Sequence, residues 1–319
     1  MARELIYTSA HRGLKPGTRG FCTVAHTKGM KPSVVRLLES LSSYKSPLGN
    51  KQGNGNQHPT AVSHYRGFAT GESFNILSQV GYSGRDFTNR QNKLAYHLVL
   101  DPDERPKAGP AWLARQDGVL LGDWKGEPRL IPEPKDVPSG NLPPETFAAN
   151  WKEITGDAGW AGILLRELNR NPAGIIYLVY EPGMPILSLI EDLTAALEVP
   201  KRWLLTFNTV FMHMPAGVNC TLRCCLPDAP PLKDVRATTG TFKLDLTKPL
   251  REAPNNIYTR IARGEKVSAP QKKPRRKTAE SGAEKKTGEK TNNDFLLLKN
   301  RTRRRLRMKP DDPRRKGRS

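Results

Sequence analysis

Apolar and polar positions alternate in short runs over the first hundred residues, and the period then changes. Residues 4–9 (ELIYTS) and 20–27 (GFCTVAHT) read as β-rich runs flanking the turn material RGLKPGTR. In 32–44 (PSVVRLLESLSSY), Val34, Leu37, Leu38 and Leu41 recur at helical spacing behind Pro32 and Ser33, which suit a helix start. The Gly/Asn stretch 48–58 (LGNKQGNGNQH) has almost nothing to bury and predicts a mobile loop. Strand-like runs return at 63–69, 73–82 and 93–100, the last being KLAYHLVL. Clustered strands with one intervening helix favour an antiparallel sheet.

Nine prolines and five glycines fall between Asp101 and Pro144. Proline fixes φ and removes a backbone donor, so this stretch is expected to wander over the surface, with a short helical piece near Trp112, and to mark an internal seam. Beyond it, helices are predicted at 158–170 and 185–198 and strands at 174–180 (GIIYLVY) and 203–211 (WLLTFNTVF). That alternation suggests a βαβ unit with parallel strands. Two further strands, near 218–226 and 241–246, would complete a second sheet or extend the first. The predicted class is α+β: an antiparallel-rich sheet in the first half joined to a βαβ-like second half, then a disordered basic C-terminal tail. The corresponding parts are 1–105, a connecting segment 106–145, 146–262 and the tail 263–319.

Charge separates the tail from the body. Of the formal +21, residues 263–319 supply +14, with 21 Lys and Arg against 7 Asp and Glu. Residues 264–294 carry almost no apolar side chains and cannot offset the entropy of ordering. In 294–309 (DFLLLKNRTRRRLRMK), Asp294 suits a helix cap, with Phe295, Leu298, Thr302 and Leu306 as a narrow stripe beside the arginines. Arg275, Arg276, Lys277, Arg301, Arg303, Arg304, Arg305 and Arg307 form the candidate polyanion-binding set, because each phosphate neutralised releases a counterion. Nucleic acid, an anionic membrane surface and a partner groove all suit such a segment, and a merely solubilising tail is the plainer alternative. Base stacking has only Phe295 to use, so nucleic-acid binding would be electrostatic and tolerant of sequence.

The body shows little chemistry. RGLKPGTRG has neither the GxxxxGK[ST] nor the GxGxxG spacing that cradles phosphate, so a nucleotide hydrolase is not expected. Cys22, Cys220, Cys224 and Cys225 lack paired CxxC spacing, and strand alternation would place 220 and 224 on one face and 225 on the other. No metal or cofactor is expected. A hydrolase would need Cys22 or His97 set against a partner in one pocket. No stretch approaches ~18 consecutive apolar residues, and Arg3 and Glu4 ahead of LIY leave no signal-peptide core, so the expected location is the cytoplasm. The densest polar cluster, GRDFTNRQNKLAYH at 84–97, offers Arg85, Asp86, Arg90, Asn92 and His97 as a candidate ligand or partner site. Paired guanidinium groups grip a carboxylate or phosphate in two-pronged fashion, and Asp86 can hold one in position. A solvated loop with one surface salt bridge is the alternative.

Three segments, ELIYTSAHRGLKPGTRGFCTVAHTKGM at 4–30, RDFTNRQNKLAYHLVLD at 85–101 and RWLLTFNTVFMHMPAGVNCTLRC at 202–224, resemble the N-terminal and middle regions of the GTPase-associated protein 1 family of bacterial proteins. The resemblance covers most of 1–262 and none of the tail. It implies protein partners in a GTPase-linked conflict or signalling system and assigns no catalytic residue. Where the family often has two adjacent histidines, this chain has Tyr96 and His97. The function expected on these grounds is a non-catalytic adaptor or interaction module with a polyanion-binding tail. A sequence-tolerant nucleic-acid-binding protein and a Cys/His hydrolase are the two alternatives.

Overall fold

In the computed structural model, which describes residues 1–47, 58–69, 71–140, 147–233, 235 and 240–266, one mixed sheet runs through both halves of the chain. Its first half comprises β1 (Arg3–Ala10), β2 (Gly20–Thr27), β3 (Ala61–Ala69), β4 (Glu72–Arg85), β5 (Gln91–Leu100) and β6 (Arg129–Ile131). The second half adds β7 (Ile175–Val179), β8 (Phe207–Asn208), β9 (Val218–Asn219), β10 (Leu222–Cys225) and β11 (Thr241–Asp245). The order across the sheet is β11-β7-β10-β8-β3-β4-β5-β1-β2-β6, with β9 pairing β3 off this path. From β3 to β2 every pairing is antiparallel, whereas β11, β7, β10 and β8 are mutually parallel. The fold is therefore α+β, and the second-half strands extend the first sheet. β7 and β8 are parallel, as the βαβ pattern requires, but β10 lies between them.

Burial explains which strands lie inside. β5, the run QNKLAYHLVL, is buried over its last seven residues, and apolar runs without alternation suit a strand covered on both faces. One face is covered by α1 (Pro32–Leu41), whose Val34, Leu37, Leu38 and Leu41 pack with Leu5, Tyr65, Ile76 and Val99. On the opposite face, α3 (Ala149–Thr155), α4 (Gly159–Arg170) and α5 (Ile186–Ala195) set Trp151, Leu164, Leu189 and Leu193 against Ile176, Leu178, Phe207 and Cys224.

Two sequence expectations change. The proline-rich stretch does not merely wander over the surface. Around α2 (Pro110–Ala114), Leu113 and Val119 are buried against Ile6, Leu77, Tyr96 and Leu98, covering the face that α3–α5 leave open. Its aperiodic apolar residues pack without a regular element. The indole of Trp203 donates to the Pro106 carbonyl (2.8 Å) and Arg202 to that of Lys107 (2.9 Å), tying the stretch to the end of α6 (Val199–Arg202). The expected strand at 203–211 shrinks to Phe207–Asn208. Beyond it the backbone partners divide: Thr209 N–H bonds to Val62 and Phe211 N–H to Cys224. No helix among the described residues is long and apolar enough to cross a membrane.

The last helix, α7 (Ile257–Ala262), is capped by Asn256, whose side chain accepts from the Tyr258 and Thr259 amides. It crosses α4 at Gly162, where a Cβ would stand 2.5 Å from Thr259 backbone. Asp157 fastens the chain just beyond α7. Its carboxylate accepts from the Gly159 and Ala253 amides and, in a fork, from Nε and Nη2 of Arg263 at 2.8 and 2.7 Å. The Arg263 hydrogen bonds hold the Asp157 carboxyl well below the usual range. We expect Arg263→Ala to cost about 2 kcal/mol in urea unfolding, because a largely buried carboxylate loses its charged partner. The folded carboxyl keeps its charge where the unfolded one is protonated, so wild-type stability falls as pH drops below about 4. Asp157→Asn should flatten that acid limb.

Candidate functional site

The β4–β5 turn brings Arg85, Asp86, Arg90 and Asn92 together, and Asp86 organises it. One carboxylate oxygen accepts from the Thr88 amide and hydroxyl and from the Arg90 amide, while the other accepts from the Ser9 hydroxyl at 3.1 Å. These bonds, led by that of the Thr88 hydroxyl, lower the Asp86 pKa to about 2. Asn89 completes the reversal at a φ of 61°, in the left-handed region that asparagine tolerates. Asn92 accepts from the Ser9 and Lys93 amides and donates to Thr8, pinning the turn to β1. Arg85 donates to the Asn89 carbonyl and Arg90 to the Thr88 hydroxyl, and both side chains are exposed. Asp86 and Asn92 are thus committed to the turn, and the two guanidinium groups are what it presents to solvent.

His97 does not join that cluster. It is fully buried on the α1 face, between Ser42 Oγ (2.9 Å from Nε2) and Ser78 Oγ (2.7 Å from Nδ1). The Ser42 hydroxyl donates to the Leu38 carbonyl, so Ser42 Oγ accepts the Nε2 proton and Ser78 donates to Nδ1. The ring is therefore neutral, and burial pushes its pKa down to about 3. Cys22 packs with Ile6, Val24 and Leu77 on the opposite face, so the two do not share a pocket. The other three thiols are buried and free, with Cys225 pushed up to about 12 by desolvation. Cys220 falls on the α1 face with Cys225, not with Cys224, because the chain leaves the ladder between β9 and β10 and the alternation resets. Among the described residues no group of three His, Cys, Asp or Glu is placed to hold a metal.

Sequence reasoning missed a cleft of about 760 Å³ at the carboxyl ends of β7 and β8, beside the first turn of α5. In parallel sheets, crevices outside the carboxyl ends of the strands are the usual ligand sites. One wall is the segment His58–Val62 leading into β3, and the other is the turn from Tyr180 into α5, where Gly183 sits at a φ of 93° that favours glycine. Thr209 and Tyr180 hold the walls together. The Tyr180 hydroxyl donates to the Thr209 carbonyl (2.7 Å), and Thr209 Oγ1 accepts from the Val62 amide (2.9 Å). His58 is steadied by Ser46 at Nδ1 (2.6 Å) and lies edge-on to Tyr82, and the Tyr44 hydroxyl donates to the Pro59 carbonyl. The turn motif EPGMP at 181–185, between a predicted parallel strand and its helix, was the one available signal. The eight candidate polyanion-binding residues, the stripe at 294–309 and most of the glycine-rich stretch 48–58 lie outside the described residues.

The family model for GTPase-associated protein 1, N-terminal domain type 2, matches residues 1–137, and that for the GTPase-associated protein 1 middle domain matches 148–248. No match was found among curated proteins or among solved structures. The cleft takes one wall from each matched region.

Asp86→Ala should lower the melting temperature, whereas Arg85→Ala and Arg90→Ala should change stability by only ~0–1 kcal/mol, as exposed ion pairs do. A second expectation concerns pH. Unfolded histidine takes a proton near pH ~6.5, but burial lowers His64 to about 4 and His97 to about 3. The unfolded chain therefore binds protons that the folded one refuses, and stability should decline as pH falls from about 6.5 toward 4. His97→Gln should shrink that decline in a denaturant series.

Proposed function

Because the chain belongs to the GTPase-associated protein 1 family, we propose that it is a non-catalytic adaptor or interaction module of a bacterial GTPase-linked conflict or signalling system, acting in the cytoplasm. The family match carries this reading. The absence of any phosphate-cradling motif from the sequence agrees with a protein that works beside a GTPase and is not one itself. Within the body, Arg85 and Arg90 are proposed as the contact to a carboxylate-bearing partner, since Asp86 and Asn92 fix the turn and leave both guanidinium groups outward. His97 supports that surface only indirectly, as part of the packing beneath α1.

The tail is proposed as a second contact, made with a polyanion. Its charge of +14 over 263–319 is the observation that favours the alternative reading of a nucleic-acid-binding protein. A pull-down from the host, reading both protein and nucleic acid, separates the two. An adaptor retains its protein partners when 267–319 is deleted, which leaves Arg263 on Asp157, and loses them in the Arg85→Ala/Arg90→Ala double variant. A nucleic-acid-binding protein behaves in the opposite way.

The tail contact has its own quantitative expectation. The logarithm of affinity for DNA or RNA should fall with the logarithm of salt by about 0.7–0.9 per phosphate engaged. Six phosphates imply roughly a thousandfold loss between 50 and 200 mM salt. Changing Phe295, Leu298 and Leu306 to Ser should leave this binding intact but weaken attachment to anionic vesicles, where the apolar stripe must be buried. A full-length chain without nucleic-acid affinity at low salt removes the electrostatic reading.

A further inference from the structure

We infer that the cleft between the His58–Val62 segment and the α5 entry is a binding site for an uncharged small molecule, with an apolar body and a carbonyl or similar acceptor. Volume is the first observation. About 760 Å³ falls within the ~300–1,000 Å³ typical of small-molecule sites and far exceeds what one or two waters fill. A second small pocket on the α1 side, near Tyr65 and Asn208, holds only about 50 Å³ and does not compete.

The charge of the walls is the second observation. The chain carries 52 Lys and Arg and 31 Asp and Glu, yet none of them is among the described residues that line the cleft. An anionic ligand such as a nucleotide would be stripped of water against Val62, Met184, Leu187 and Val210 with no lysine or arginine among the described lining residues to replace it. Burying an ion without a partner is strongly unfavourable, whereas an apolar body gains on the order of 25 cal/mol per Å² covered. The physics of the walls therefore selects a neutral occupant.

The third observation fixes its polar edge. Most polar groups around the cleft are already used: the Tyr180 hydroxyl by the Thr209 carbonyl, Thr209 Oγ1 by the Val62 amide, His58 Nδ1 by Ser46. The hydroxyls of Thr60 and Ser188 make no hydrogen bond with any described residue, and they sit on opposite walls. Ser188 belongs to the first turn of α5, a ten-residue helix whose opening amides carry partial positive charge. The amides of Ile186, Ser188 and Leu189 are already taken by the Met184 and Pro185 carbonyls, so the two hydroxyls are the donors left for a neutral acceptor atom, and the ligand's carbonyl supplies one. A site walled by both family-matched regions also makes its occupant a link between them.

The experiment uses the full chain and two dyes, and it is independent of the adaptor reading because neither the tail nor Arg85 and Arg90 is altered. Prodan, an uncharged naphthalene ketone, should bind saturably at one site with blue-shifted emission. Ser188→Trp and Thr60→Trp fill the cleft from opposite walls, and each should weaken binding by about tenfold or more with the melting temperature unchanged. If one variant fails to fold, the other decides. Anilinonaphthalene sulfonate, similar in size but anionic, is scored only by displacement of prodan, so that dye held by the basic tail does not count. It should not displace prodan from the wild type and should do so from Ser188→Lys. Absence of saturable prodan binding, its survival in a folded Trp variant, or displacement by the sulfonate from the wild type would each overturn the assignment.

Discussion

The two halves of the body join in a seam along the β3 edge, where β3 pairs antiparallel with β8 and, further along, with β9. The backbone ladder to β8 spans only two residue pairs, Ser63 with Asn208 and His64 with Phe207. Two such pairs contribute only a few kcal/mol net, at about 1 kcal/mol per hydrogen bond. Side chains supply the rest. Phe207 is fully buried, and a large apolar side chain contributes about 1.5–3 kcal/mol on burial. Polar groups fix the register: Asn208 donates to the Tyr65 hydroxyl and His64 to the Leu205 carbonyl. Asn75, with its amide turned to donate to His64 Nε2, accepts from Arg105 at 2.9 Å and carries the chain of contacts into the first half.

The cleft lies beside the same seam. After Asn208 the chain leaves the regular ladder and divides its backbone hydrogen bonds between Val62 and Cys224. The strands separate there, and α5 starts where they part. Tyr180 and Thr209 tie the two walls together. The crevice thus lies where β8 leaves the ladder, at the carboxyl ends of β7 and β8. Its uncharged walls are a separate property of the chain, set by residues that the topology does not dictate.

How far the sequence revealed this follows from the kind of signal each element carries. Strands such as 20–27 and 93–100 were legible as short apolar runs bounded by turn residues, and the helix starting at Pro32 by the period its buried face leaves. The segment 106–124 was not, since Leu113 and Val119 are buried by loops that have no period. Strand 203–211 was overread because apolar content reports burial and not pairing. The Arg85 cluster was legible as a group, but the roles of Asp86 and Asn92 depend on Ser9 and Thr8, more than seventy residues away. His97 shows the limit most plainly. A histidine that closes a polar stretch in sequence is held, in the fold, by Ser42 and Ser78, neither of them in that cluster.

The charge partition gains meaning from this architecture. Arg263, the first residue of the basic stretch, is spent on Asp157 and belongs to the body in every physical sense. Its fork to a carboxylate that also accepts two backbone amides anchors the end of α7 beside α3 and α4. Arginine suits this position better than lysine, because a planar guanidinium donates to both carboxylate oxygens and to the Ala253 carbonyl at once. Beyond it the sequence carries 20 Lys and Arg against 7 Asp and Glu. On the proposed reading, a firmly anchored base lets the body and the basic stretch bind different things. Loss of polyanion binding would then leave the seam, the turn and the cleft unaltered.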